Sequence, residues 1–248
     1  ANVCLVMEPG GHGNLEQLLV REGIDLSWGV HKGDIAVGIA RGLDHLHVHG
    51  HCHGALKPQE IIIDSAYHAK LSDVCATDFA VKRSTHNIHT QLYRAPELLA
   101  AMRYDWACDA WSFGCLLELL WTHRPVYSAH HALHDVDLII EEVQAGTLRP
   151  ALPPDSCLCE LVVACAATDP DARPRLKDCV ERLSDVDMAR AFSVLPPGLA
   201  DISSHRLPPQ RHRSSEDEAM DEATVDPMVF RQSRSAEDEA MEEATMHN

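Results

Sequence analysis

The sequence predicts an α+β domain, mostly helical with a few short strands, followed by an acidic tail. Three observations predict that class. From Asp109 onward apolar residues recur at helical spacing, and DAWSFGCLLELLW is apolar nearly all round, the pattern of a central buried helix. The β-type runs are few and short: NVCLVM, EIIID and HAKLSD. Composition then shifts near residue 190. Residues 191–248 carry SVLPPG, RLPPQ and 12 acidic against 5 basic residues, and they cannot bury enough apolar surface to offset the entropy of ordering. The expected division is a domain over 1–190 and a disordered acidic tail over 191–248.

Taken in order, residues 2–7 suit a buried strand, and EPGGHGN is a glycine-rich connection leading into a helix over NLEQLLVRE, with Leu15, Leu18 and Leu19 on its apolar side. A second helix fits 33–47, where Ile35, Ile39, Leu43 and Leu46 repeat at helical spacing. Two short strands, EIIID and HAKLSD, flank a turn at 65–67. The central helix opens at Asp109, and further helices fit 133–145, 157–167 and 176–183. The tail holds a near-repeat, RSSEDEAMDEAT at 213–224 and RSAEDEAMEEAT at 234–245. In each copy a serine precedes an acid by three residues, as in a helix capping box. A solvated tail is the plainer expectation; a short partner-binding helix, or phosphorylation at Ser215 or Ser235, are the alternatives.

Acidic residues outnumber basic ones 38 to 21, so the average surface repels nucleic-acid phosphate, and no nucleic-acid partner is expected. Nine cysteines, an odd number without a C-x-x-C pair and mostly within apolar runs, read as buried, reduced thiols of an intracellular, cytoplasmic protein. ANVCLVME shows no signal-peptide pattern, and the longest apolar runs are broken by Glu118 or Asp137, so no membrane association is expected.

HLHVHGHCHGALKPQE, residues 45–60, places five histidines at alternate positions. On a helix, His45 and His49 share a face, but a zinc site needs a third ligand and outer partners. A different explanation comes from the flanking residues. LHVHGHCHGALKPQE resembles the catalytic loop of eukaryotic protein kinases, L-H-x-x-G-x-x-H-R-D-L-K-P-x-N, with His47 and His53 at histidines common in that family. The resemblance runs from residue 2 to about 187 through motifs in the family's order. LVMEPGGHGNLEQLL resembles the hinge and first helix, with Met7 as gatekeeper and Glu8, Gly10 and Ile62 implied as cofactor-binding. KLSDVC is similar to the strand and metal-binding D-F-G, at Asp73, and YRAPELL to the A-P-E segment, at Glu97, with Thr90 at the substrate-binding loop. DAWSFG resembles the opening of the central helix, where Asp109 is expected to brace the catalytic loop, and DPDARP supplies Arg173 as the implied ion-pair partner of Glu97. The spacing of CAATDPDARPRLKDCVERL, with NLEQLL, is most similar to tyrosine-kinase-like serine/threonine kinases.

Phosphoryl transfer depends on positioned charge: a Gly-rich loop and strand lysine over the phosphates, an Asp and an Asn on the metals, and an Asp to take the hydroxyl proton. The resemblance starts at the hinge, so the expectation is a large lobe, mostly helical with short strands at its cleft, without its small lobe. Within the catalytic loop, H-R-D has become His53-Gly54-Ala55, and a methyl stands where the general base would be. Losing such a base typically costs roughly 10² to 10⁴ in rate, about 3 to 5 kcal/mol. Glu60 replaces the metal-site Asn, and Asp73 keeps the other metal position. Val74 and Cys75 replace the Phe and Gly that follow it. A rival placement of the metal motif, Asp78-Phe79-Ala80, would need extra residues after KLSD. Lys57 keeps the family's phosphate-contacting lysine.

The resemblance therefore implies a degenerate kinase domain, a pseudokinase whose role is protein binding through its helical face and acidic tail. The alternative is a divergent, active serine/threonine kinase recorded as an incomplete chain. ATP and Mg²⁺ are the implied cofactors if it is active or binds nucleotide, and none otherwise. An exposed apolar cleft floor around Val6, Met7, Ile62 and Val74 is expected to promote association.

Overall fold

The structure, a computed structural model, describes residues 8, 10–21, 23–74, 91–130 and 135–185. The expected strand over 2–7, Val6, Met7, Cys75, the Asp78-Phe79-Ala80 placement, Thr90 and the tail with Ser215 and Ser235 lie outside the described residues.

The first helix is set by its cap. Asn14 Oδ1 accepts the Gln17 N–H at 2.9 Å while Gln17 Oε1 accepts the Asn14 N–H at 3.1 Å, a reciprocal capping box that starts α1 (Leu15–Leu19) and buries Leu15 and Leu18. The two residues before it, Gly13–Asn14, form β1. A π-helical turn, Trp28–Lys32, leads into α2 (Gly33–Val48), which buries Ile35, Ala36, Ile39, Ala40 and Leu43 along one stripe.

β2 (Ile61–Ile63) and β3 (Ala69–Leu71) complete an antiparallel sheet of order β1-β2-β3, with Asn14 opposite Ile62 and Ile62 opposite Lys70. β3 also packs on α2. After residue 91 come α3 (Pro96–Leu99) and α4 (Ala107–Thr122). Every α4 residue from Ala107 to Leu120 is buried, so the all-round apolar sequence has a core position to match. Fully enclosing side chains such as Trp111, Phe113, Leu116 and Leu117 stabilises by about 1.5–3 kcal/mol each. α5 (Val136–Gln144), α6 (Cys159–Cys165) and α7 (Leu176–Asp185) surround this core, α6 against α4 and α7 against α2. At the α4–α6 crossing a Cβ on Gly114 would lie 3.1 Å from the Cys165 Cβ, so only glycine lets the helices come this close without displacement.

The periodicity locates these helices but misjudges some ends. α5 and α6 are shorter than 133–145 and 157–167, because α6 begins only after the turn at 154–158 and α5 only at the Asp135 cap, whose side chain accepts the Leu138 N–H. β1, the π-helical turn and α3 are too short for a periodic pattern to show them. The cysteines also need correction: Cys108, Cys115, Cys165 and Cys179 are buried, but Cys52 and Cys159 are half-buried and Cys157 is exposed, since it sits in the turn before α6 rather than on its inner face. Among the described residues, no helix is long and apolar enough to cross a membrane.

Candidate functional site

The site is built where α2 ends. Gly50, at φ +76°, turns the chain out of the helix, and the His51 N–H returns to the Leu46 carbonyl at 3.0 Å. The segment then runs beneath α4, where the Asp109 carboxylate gathers it. Oδ2 accepts the His53 N–H at 2.7 Å and His47 Nε2 at 2.8 Å, and Oδ1 accepts the Gly54 N–H at 2.8 Å. Asp109 is fully buried, so its charge is tolerable only because these donors replace water.

The histidine strip thus separates into two roles. His47 and His53 turn inward, and His53 Nε2 also donates to the Ser72 carbonyl at 2.9 Å, tying the loop to the residue before Asp73. His45, His49 and His51 are exposed, and the His49 Nδ1–H is spent on the His45 carbonyl at 2.7 Å. Among the described residues no group of three or more His, Cys, Asp or Glu side chains is placed to hold a metal ion.

Ala55 follows at 8% exposure, its methyl in the position that the resemblance assigns to the base. Two residues on, Lys57 Nζ lies 3.4 Å from Glu60 Oε1 across one 3-10 turn, Pro58–Glu60, with both side chains mostly covered. The second Glu60 oxygen accepts the Ser72 hydroxyl at 3.0 Å, and the Glu60 carbonyl takes the Ser72 N–H at 2.8 Å. Asp73 is exposed and left-handed, at φ +55°.

Of the residues that the resemblance implies as cofactor-binding, Glu8 is exposed and ion-paired with Lys70, while Ile62 is half-buried on β2. A Cβ on Gly10 would fall 2.5 Å from Ile62 Cγ2, so that glycine is required by close approach. Val74 is half-buried.

Farther from the cleft, the Arg173 guanidinium grips Glu97 with two parallel bonds, Nη1–Oε1 at 2.6 Å and Nη2–Oε2 at 2.9 Å. It also donates to the Ala167 and Ala107 carbonyls, and its face lies 5.2 Å from the Trp111 ring. This buried node links α3 to the start of α4 and the turn before α7.

The donor set does not suit Mg²⁺ and a triphosphate as it stands. The ammonium that would meet phosphate already faces a carboxylate, and the carboxylate that would meet metal already faces an ammonium and a hydroxyl. Ser72 was not singled out by its sequence context, and neither was the Glu118 carboxylate. Glu118 accepts the N–H groups of Tyr127 and Ala151, each at 3.0 Å, and burial pushes its pKa up to about 7.

Residues 1–183 match the family model described as protein kinase domain. The chain belongs to the protein kinase domain family. It is 29% identical over 206 residues to cyclic GMP-binding protein C of Dictyostelium discoideum, covering 78% of this chain and 8% of that protein. It is 28% identical over 189 residues to a probable serine/threonine-protein kinase of the same organism, covering 75% and 20%. It is also 30% identical over 179 residues to a probable inactive receptor kinase of Arabidopsis thaliana, covering 65% and 27%. The chain spans less than a third of the length of each of these relatives. The helix-rich body and small three-stranded sheet are those of a kinase-like fold.

Proposed function

We infer that this kinase domain is a pseudokinase, a protein-binding module in phosphorylation signalling whose chemistry has been lost while its scaffold is kept. The observation that carries this reading is Ala55: the braced loop delivers a methyl where an alcohol would need a proton acceptor. The supports of the scaffold, Asp109 beneath the loop and the Glu97–Arg173 pair, retain full sets of partners. The name of the Arabidopsis relative, a probable inactive receptor kinase, is consistent with such a loss.

In the finer reading, residues 1–190 are a large lobe of the tyrosine-kinase-like serine/threonine type that begins at the hinge, and 191–248 are an acidic tail. The helical face and the tail would engage a protein partner in the cytoplasm, and the cleft floor around Ile62 and Val74 would add a site of association. The test is γ-phosphate transfer to serine/threonine peptides by the full-length protein, with Ala55→Asp assayed beside it. The reading requires no turnover above background in the unmodified protein. Turnover that Ala55→Asp does not improve would end it.

One observation favours an active, divergent kinase instead: Lys57 and Glu60 at one turn, and Asp73 next to the Ser72 that bonds Glu60, still supply a cation and two carboxylates. That reading requires Mg²⁺-dependent nucleotide binding by the complete protein.

A further inference from the structure

The Lys57–Glu60 pair has a second consequence, resting on the reading of residues 53–60 as an altered catalytic loop. Lys57 and Glu60 are three residues apart on one 3-10 turn, so they meet without any long-range closure, and their side chains are only 17% and 16% exposed. Glu60 is fixed from the other side as well. Its Oε2 accepts the Ser72 hydroxyl, its carbonyl accepts the Ser72 N–H, and Ser72 is itself held through its carbonyl by His53 Nε2. The carboxylate is thus aimed at the Lys57 ammonium by a chain of bonds that ends on the Asp109 brace.

We propose that Glu60 is an internal anion that takes the place of a ligand's phosphate on Lys57 and so excludes polyphosphate from the cleft. A phosphate oxygen approaching Lys57 must displace a preplaced carboxylate of like charge, meeting repulsion from Glu60 and losing part of the lysine's attraction. A neutral side chain at position 60 would remove that repulsion. Glu60 is in this sense a specificity-determining residue that closes the phosphate position with a charge rather than with bulk.

The probe is inorganic tripolyphosphate, titrated calorimetrically into the full-length protein without divalent metal, with ATP as a second arm. Glu60→Gln keeps an oxygen for Ser72 and removes the charge, and Glu60→Asn does so with a shorter side chain. Each is expected to tighten tripolyphosphate binding about tenfold, to tighten ATP binding in parallel, and to lose that gain when Lys57→Ala is added. Three results overturn the proposal: no gain in either variant, a gain that survives Lys57→Ala, or a gain for ATP without one for tripolyphosphate. A Glu60 variant that fails to fold also contradicts it, since it would make the carboxylate a support of the fold. The pseudokinase reading stands or falls separately, because these arms measure binding and not transfer.

Discussion

The Asp109 carboxylate accepts the backbone N–H of His53 at 2.7 Å across 56 residues of chain, and that bond fixes where the following residue pair, Gly54-Ala55, comes to rest. With Gly54 and His47 as further donors, one buried side chain holds the end of the α2 segment against the first turn of α4. Asp109→Ala leaves two backbone N–H groups and an imidazole without acceptors inside the core. The expected loss is about 3–5 kcal/mol in urea unfolding. Asp109→Asn, which keeps one oxygen, is expected to lose less, about 1–3 kcal/mol.

The Glu97–Arg173 pair should behave as a unit. Either Glu97→Gln or Arg173→Leu breaks a buried, bidentate pair and is expected to destabilise by about 3–5 kcal/mol. Joined in one chain, the two changes are expected to cost clearly less than their sum, because neither charge is then stranded. Denaturant unfolding of the four proteins in the cycle measures this; strict additivity would show that the pair is not coupled.

Two groups at the end of α4 oppose each other in pH. Burial raises Glu118 from its ordinary 4.5 to about 7, so the folded state holds a proton that the unfolded chain releases, and this contribution to stability is lost as pH rises from about 4.5 to 7. Burial, with the nearby Lys32 charge, lowers His123 from 6.5 to about 4, so the unfolded chain takes a proton that the folded state refuses, and its contribution is lost as pH falls through that window. Thermal melts of the unmodified protein should therefore depend little on these groups between pH 4.5 and 6.5. Glu118→Gln should unmask a melting temperature that rises with pH there. His123→Asn, suited to the left-handed φ of +53° at this helix end, should unmask one that falls.

Thiol accessibility separates the cysteines. Cys157 is exposed, whereas Cys115, Cys165 and Cys179 are enclosed, and burial raises the Cys115 thiol far above its ordinary range. Cys165 and Cys179 lie 3.9 Å apart as free thiols between α6 and α7. Brief iodoacetamide treatment followed by peptide mass spectrometry should modify Cys157 before those three, which stay unmodified until denaturant is added. Early labelling of Cys165 or Cys179 would contradict the enclosure of this thiol pair.

The long helices were legible in the sequence because their burial repeats with the helical period, and α4 because fourteen consecutive buried positions leave no polar face. What escaped was local or long-range in a way that periodicity does not encode. The five alternating histidines look like one strip, yet the helical period of α2 turns His47 inward and leaves His45 and His49 together outside, and after the left-handed turn at Gly50 His51 stays exposed while His53 meets Asp109. Glu118 reads as a polar break in an apolar run, and nothing local shows that its two oxygens will meet the N–H groups of Tyr127 and Ala151. The exchange that puts Glu60 at the metal-site Asn was visible, and its spacing of three from Lys57 on a Pro-initiated turn is the pattern that could have announced the ion pair. Ser72 carried no comparable mark, since its importance comes from two partners more than ten residues away.

The central claim is that no carboxylate serves the position of Ala55, and the most direct measurement is an experimental structure of the full-length protein with a non-hydrolysable nucleotide and a serine peptide. The account predicts that the peptide hydroxyl, wherever it docks beside Ala55, has no Asp or Glu oxygen within about 3.2 Å, the reach of a general base. A carboxylate from any part of the chain hydrogen-bonded to that hydroxyl would contradict it.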